Sequence, residues 1–194
     1  MKSYYEAIGE DPFDSLPVTF HIKTGLEDPS YFAFKEYYEN NKDANNIWIT
    51  KPGECTNRGT GIQVAKEWGE LQSIIVENTK SAKKTCIVQK YIHNPLLIHK
   101  RKFDIRTYAM ATSTQGNYKC YYYQEGYLRT SCREFSLANL ANRFVHLTND
   151  AVQKHAEEYG KFEAGNKLSY AEFQTYIDKN CTSLNVCFER DILP

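Results

Sequence analysis

The sequence predicts a mixed α/β or α+β fold, and three observations predict it. The first half reads strand, loop, strand, helix, strand. A long run at 102–113 alternates with period two and then turns back on itself. Regular alternation of strand and helix fails after residue 90, and no Gly-x-Gly-x-x-Gly follows a strand, which sets aside a doubly wound dinucleotide fold.

Taken in order, residues 1–17 are expected to be irregular, broken by Asp11-Pro12 and Leu16-Pro17. After Gly25 a helix is expected, capped by Asp28, with Pro29 in its first turn and Phe32, Tyr37 and Tyr38 as apolar surface to about Asn41. Polar KDANN is a turn. IWIT (47–50) is a short strand, and Ile62–Ala65 is another after a loop with glycines at 53, 59 and 61. Residues 66–78 fit a helix, with Trp68, Leu71 and Ile75 at helical spacing, and TCIVQKY (85–91) a strand. In the run 102–113, Phe103, Ile105, Thr107, Ala109 and Ala111 share one face, and Lys102, Asp104 and Arg106 start the other. Residues 114–117 turn the chain back into YKCYYYQ, and Glu125-Gly126 is expected to turn it again before Leu128–Ser131. Asn149 or Asp150 is a cap for a helix to about Tyr159. Gly160 and Gly165 bracket a loop, and Ser169 with Glu172 forms a capping box for a helix through about Lys179.

At 194 residues, the chain suits one domain or two small ones packed together. Lys and Arg total 24, as do Asp and Glu, so bulk charge favours neither nucleic acid nor an anionic membrane as a partner. No stretch approaches the roughly 20 apolar residues of a membrane helix, and the N-terminus carries acids where a secretory signal needs an apolar run. The six cysteines show no Cys-x-x-Cys spacing and the five histidines are scattered, so a reduced intracellular compartment is expected, with neither a zinc site nor a disulfide scaffold.

The candidate chemistry is anion binding. The loop after Lys51-Pro52 has glycines that let a backbone approach a ligand, and Thr56, Asn57, Arg58 and Thr60 add donors around Gly59 and Gly61. It is not a Walker A loop, since no Gly-Lys-Ser/Thr opens a helix, and a plain hairpin turn explains it as well. Lys102, Asp104 and Arg106 project from one strand face at steps of roughly 6–7 Å. The cations there suit phosphoryl oxygens, and Asp104 is free to orient the lysine or take a ligand hydroxyl. The bland reading is an ion-pair ladder on an exposed sheet face. A nucleotidyltransferase Lys-x-Asp-Gly loop is disfavoured because Ile105-Arg106 follow inside a strand. Arg129, between a Gly turn and two hydroxyls, offers a fork for phosphate or carboxylate. His146, Thr148 and Asn149 form a further polar cluster, in which His146 is either a general base or a packing residue. Gln89 and Lys90 end a hydrophobic strand where an adenine edge would meet the backbone of Tyr91 and Ile92.

Jointly, WITKPGECTNRGTGI, QKYIHNPLLI, HKRKFDIRTY, YYYQEGYLRTS, NRFVHLTND and YGKFEAGNKLSY closely resemble the tubulin tyrosine ligase and ligase-like family, over roughly residues 45–180. The resemblance implies an α+β ATP-grasp fold of mixed and antiparallel sheets with flanking helices. It would comprise an N-terminal segment (1–25), a central lobe (about 26–92) and an incomplete C-terminal lobe (about 93–194). It also implies a reaction in which a tubulin-tail carboxylate attacks the γ-phosphate of ATP and an amino acid (glutamate, glycine or tyrosine) displaces phosphate from the acylphosphate. Mg²⁺ would bridge the phosphates. The expected partners are tubulin tails or microtubules and a free amino acid, in the cytoplasm, at microtubules, cilia or basal bodies.

By the same resemblance Lys51, Lys90, Ile92, Lys102, Asp104, Thr148 and Asn149 face the nucleotide, and Arg106 and Arg129 the reacting groups; Gly59, Gly61 and Gln89 join the nucleotide-facing set from the residue reading above. The family's metal-binding Asp and Glu-x-Asn strand would fall past Pro194, and Glu189 and Asp191 do not sit in that motif. No metal ligand is therefore expected within these residues, and the expectation is of a family domain cut short at its C-terminus. The alternative is an inactive nucleotide- or tubulin-binding module.

Overall fold

The computed structural model describes residues 2–41, 45–54, 58–80 and 84–193. The loop donors Thr56 and Asn57, part of the expected turn at 42–46 and the residue Pro194 lie outside them. The chain divides into two compact units, residues 1–95 with 137–143, and residues 96–136 with 144–194.

In the first unit, the stretch expected to be irregular contains a short helix, α1 (Lys2–Ala7), and a single helical turn at Pro12–Asp14. Strand β1 (Thr19–Ile22), which the local pattern did not announce, precedes helix α2 (Pro29–Asn40). Asp28 caps α2 as expected. Its carboxylate accepts from Ser30 N at 2.8 Å, Lys23 N at 2.7 Å and Thr24 N at 2.9 Å. Then follow β2 (Trp48–Pro52), β3 (Gln63–Ala65), helix α3 (Trp68–Asn78) and β4 (Cys86–Lys90). The sheet order is β1-β4-β2-β3, and every pair is antiparallel. Helix α3 links β3 to β4, which run the same way but flank β2 instead of pairing. The crossover therefore leaves a wholly antiparallel sheet, and the fold is α+β. Both helices cover one sheet face, where Trp48, Val88, Cys86 and Ile22 meet Phe34, Leu71 and Ile75. The Trp48 and Phe34 rings pack edge to face, 4.8 Å between centroids.

The second unit is built on a long hairpin. A two-residue strand, β5 (Leu97–Ile98), leads into β6 (Arg101–Thr114), which pairs with β7 (Asn117–Glu134). Glu125-Gly126 is not a turn: β7 runs through it. The register passes from Arg106 opposite Tyr127 to Tyr108 opposite Tyr123, so three residues of β7 face the single residue Thr107. The extra length is absorbed as a bulge. Glycine serves there because of a close approach. A Cβ at Gly126 would lie 2.2 Å from the Arg106 carbonyl oxygen and 2.1 Å from the Tyr170 hydroxyl. The helical turn α4 (Arg143–His146) starts with the last residue of the first unit and continues in the second. Helix α5 (Asp150–Gln153) stops six residues short of the expected end at Tyr159. Strand β8 (Lys167–Leu168) and helix α6 (Tyr170–Asn180) complete the unit, α6 with its capping box intact. The sheet order is β5-β6-β7-β8, again antiparallel throughout. Leu128, Ile98 and Phe103 pack under Phe173, Ile177 and Phe188. That covers one face of the sheet and leaves the charged face to the site.

Candidate functional site

In the first unit, Lys51 and Gln89 come together across neighbouring strands. Lys51 Nζ donates to Gln89 Oε1 at 2.8 Å, Gln89 Nε2 to Thr19 Oγ1 at 2.8 Å, and Thr19 Oγ1 to the Pro17 carbonyl at 2.7 Å. This relay crosses β2, β4 and β1 on the face away from the helices. Burial lowers the Lys51 pKa from its ordinary value, because the ammonium sits among neighbours that replace water. Strand alternation sends Lys90 the other way. Its ammonium is 3.0 Å from Asn46 Oδ1 and lies over the Trp48 ring, 5.2 Å from the centroid, on the helix-covered face. Lys51 and Lys90 are therefore on opposite sides of one sheet. At the strand end, Tyr91 N donates to the Ile47 carbonyl at 2.9 Å, whereas exposed Ile92 makes no backbone hydrogen bond among the described residues.

The glycine loop has local reasons for its glycines. Gly53 N donates to the Thr85 carbonyl at 2.8 Å, and a Cβ there would fall 1.8 Å from Thr85 Oγ1. Gly61 has φ +72°, and its Cβ would meet Pro52 Cγ at 2.7 Å. Gly59, with φ 79°, turns its carbonyl to Arg143, whose Nη2 donates at 2.7 Å. Hairpin geometry thus accounts for Gly53 and Gly61 without a ligand.

In the second unit, Asp104 and Arg129 stand opposite each other in the ladder. The guanidinium grips the carboxylate through both Nε, at 2.8 Å from Oδ1, and Nη2 on Oδ2. The hydrogen bond to Asp104 raises the Arg129 pKa. The expected role of Asp104 is to orient Lys102 or take a ligand hydroxyl. Instead it holds Arg129 and accepts from Thr148 Oγ1 at 3.0 Å, because a cross-strand partner lies closer than an i±2 neighbour on the same strand. Lys102 Nζ donates to the His146 carbonyl at 3.1 Å. The His146 ring is buried and packs edge-on against Phe135, 6.0 Å between centroids. Asn149 stands at the start of α5 but its side chain makes no capping bond. Arg106 is exposed, and its guanidinium makes no hydrogen bond or ion pair among the described residues.

Several residues that hold this arrangement carried no sequence signal. Gln153, 1% exposed, accepts from Cys132 N at 2.7 Å and donates to the Leu147 and Phe144 carbonyls, tying residues 144–148 to β7. Arg101, 2% exposed, is paired with Glu163 through both terminal nitrogens and donates to Thr130 Oγ1 at 3.2 Å. Lys167 on β8 lies directly opposite Arg129. A buried glutamine and a two-residue strand have no periodicity to find; Arg101 and Lys167 stand only as parts of the motifs HKRKFDIRTY and YGKFEAGNKLSY, with no role apart from them.

In each unit the residues suit an anion better than a metal. In the first unit Lys51 offers positive charge and Ile92 a backbone group without a hydrogen bond among the described residues; in the second Arg106 offers positive charge and Asn149 a side-chain amide that makes no capping bond. No three His, Cys, Asp or Glu side chains among the described residues are placed to hold a metal ion. Asp104 is already engaged, and Asp191 pairs with Arg190 and accepts from Cys187 N at 2.8 Å. No metal-dependent step is assigned to these residues. No helix among the described residues is long and apolar enough to cross a membrane.

A family model described as "Tubulin-tyrosine ligase family" matches residues 3–189. "Tubulin glycylase 3D" of Tetrahymena thermophila is 39% identical over 175 residues, covering 89% of this chain and 16% of that protein. "Tubulin glycylase 3B" of Drosophila melanogaster is 36% identical over 138 residues, or 69% of this chain and 18% of the relative. "Probable alpha-tubulin polyglutamylase Ttll1" of Tetrahymena thermophila is 32% identical over 186 residues, 91% of this chain and 43% of that protein. The chain spans less than half the length of each of these relatives.

Proposed function

From the premise that the chain belongs to the tubulin-tyrosine ligase family, whose model matches residues 3–189, we propose that it carries the nucleotide-facing part of an ATP-dependent ligase that joins an amino acid to carboxylates of tubulin tails. The fold proposed is ATP-grasp, with residues 1–25 as a leading segment, about 26–92 as a central lobe and about 93–194 as part of a C-terminal lobe. The two units, each an antiparallel sheet with helices on one face, support that reading.

The observation that carries the proposal is the Asp104–Arg129 pair with Arg106 open on the same strand face. A guanidinium already oriented by a carboxylate keeps its direction as charge develops on a phosphoryl or carboxylate oxygen. Arg129 and Arg106 would then stabilise the acceptor carboxylate as it takes the γ-phosphoryl group, and again as the amine of the incoming amino acid displaces phosphate. Lys51 would meet the phosphates, with Gln89 directing its ammonium. Gly59 and Gly61 would shape the loop above them. Lys90 and Ile92 would border the adenine through their backbone, the Lys90 ammonium being held on the other face by Asn46. Lys102, Asp104, Thr148 and Asn149 would face the nucleotide, Lys102 and Thr148 being steered by the 144–148 segment. Mg²⁺, when bound, would offset phosphate charge. The names of the relatives support glycine or glutamate as the transferred amino acid. Microtubules in the cytoplasm, cilia or basal bodies are the proposed setting.

The test is incorporation of labelled glycine, glutamate or tyrosine into tubulin, with an ATP titration alongside. Arg106→Ala is expected to reduce ATP affinity or turnover far more than thermal stability. A folded protein that binds no ATP at millimolar concentration defeats the reading.

A further inference from the structure

The charged face of the second sheet does not end at Arg129. Arg106 lies opposite Tyr127, and Arg129 lies opposite Lys167, so β6, β7 and β8 each contribute a cation or a ring to one face. The Lys167 ammonium lies over the Tyr127 ring, 5.5 Å from its centroid. That contact draws Lys167 toward Arg106 along the row. Arg129 is committed to Asp104, and Lys102 to the His146 carbonyl. Arg106 and Lys167 have no carboxylate partner among the described residues. Both are exposed. The result is a pair of unneutralised cations on either side of Tyr127, beside an arginine already fixed in direction.

We infer that Lys167 is a substrate-binding residue, and that with Arg106 it holds carboxylates of an acidic acceptor peptide leading into the site. This rests on the ligase reading above. Two strand spacings of about 4.8 Å separate the strands that carry the two cations. An extended peptide presents same-side residues about every 7 Å, so two acidic side chains of one peptide can meet Arg106 and Lys167 together. Free glycine or tyrosine has one carboxylate and would leave one of the two cations unmatched; free glutamate has two, so its competition with the peptide is read in the test below. The Tyr127 ring between them gives the peptide's methylenes an apolar surface.

The experiment is a titration of fluorescently labelled hexaglutamate against wild type, Lys167→Gln, Lys167→Arg and Lys179→Gln. The last removes the same charge from an exposed position on α6. Lys167→Gln is expected to weaken hexaglutamate about three- to tenfold, more at low salt than at high. Lys167→Arg should restore most of the affinity, and Lys179→Gln should change little. Equal weakening by Lys167→Gln and Lys179→Gln overturns the inference, since bulk charge would then explain it. So does an unchanged Lys167→Gln affinity. A Lys167→Gln defect confined to competition by free glycine or glutamate overturns the acceptor assignment. ATP binding is titrated separately in the same wild-type sample. Its absence strikes at the ligase reading, while the hexaglutamate comparison still decides the role of Lys167.

Discussion

Asp104 and Arg129 face each other across β6 and β7, and the guanidinium holds the carboxylate with two parallel N–H donors. An arginine that approaches a reacting anion gains from being held, because its side-chain entropy is lost before the ligand arrives. Asp104→Asn removes the charge and one acceptor. Its effect on stability should be about 1 kcal/mol or less, since the carboxylate is about one-third exposed. Its effect on anion binding should be larger, at least tenfold in ATP affinity or turnover. Arg129→Lys should not rescue function, because an ammonium cannot make the two-pronged contact. Calorimetric titration against thermal unfolding of the same variants measures the separation.

Arg101 and Glu163 form the buried counterpart. Their side chains are 2% and 11% exposed. Glu163 also accepts from Thr130 Oγ1 at 2.9 Å. Removing Arg101 alone, as Arg101→Met, leaves Glu163 without its cation and should destabilise by about 3–5 kcal/mol. Arg101→Met with Glu163→Gln should cost clearly less than the two single changes added together. Denaturant unfolding of the four proteins completes the cycle, and strict additivity would show the pair to be uncoupled.

Gln153 is the link between β7 and the 144–148 segment. Gln153→Leu keeps the volume but leaves the Cys132 N–H and the Leu147 carbonyl without this partner. A loss of about 2–3 kcal/mol is expected. Hydrogen exchange should quicken at Cys132 and around Thr148, ahead of any change in α6. Uniform quickening across the unit would argue against a local role.

Asp28 sets a pH dependence. Desolvation pushes its carboxyl up, but hydrogen bonds from the Lys23, Ser30 and Thr24 amides and the Thr24 hydroxyl outweigh it and bring the pKa from 3.8 to about 2. The folded state therefore holds this proton more weakly than the unfolded state does. The stabilisation is full above the unfolded value and is lost as pH falls from about 3.8 through about 2. Asp28→Ala should cost about 1–2 kcal/mol at neutral pH. The gap between wild type and variant should narrow below pH 3.8. A gap independent of pH would assign the effect to packing alone.

Lys51 runs with the opposite sign. Burial lowers its pKa, so the charged form is disfavoured by folding. That penalty is present at neutral pH and is relieved as pH rises through the lowered pKa. A bound phosphate favours the ammonium. ATP affinity should therefore decline with rising pH before the ordinary lysine value of 10.5 is reached. Lys51→Arg, charged throughout, should flatten that decline, and Lys51→Met should weaken ATP at neutral pH. Titrations between pH 7 and 10 check this.

Helices α2, α3 and α6 were legible in the chain because their signals are local. Asp28 before Pro29, Trp68 and Leu71 at helical spacing, and Ser169 with Glu172 each lie within a turn or two of one another. The hairpin of β6 and β7 was legible for the same reason, through the period of two and the turn at 114–117. Glu125-Gly126 misled because glycine marks both turns and close approaches, and only the position of Tyr170, 44 residues on, distinguishes them. Helix α5 ends at Gln153, whose side chain bonds Cys132, a partner 21 residues away that no local pattern announces.

The residue types, their alternation on strands and their caps thus belong to the chain as written. They specified an α+β fold, the cation-bearing strand 102–106 and the family. Which groups meet was left to packing. Asp104 pairs with Arg129 and not Lys102, Lys51 shares a face with Gln89 and not Lys90, and Lys167 joins the row at Arg129. The physical reason is that alternation assigns a side chain to a face, whereas its partner across the sheet depends on register. Register is set by long-range pairing, bulges and buried cores that no short stretch of sequence contains.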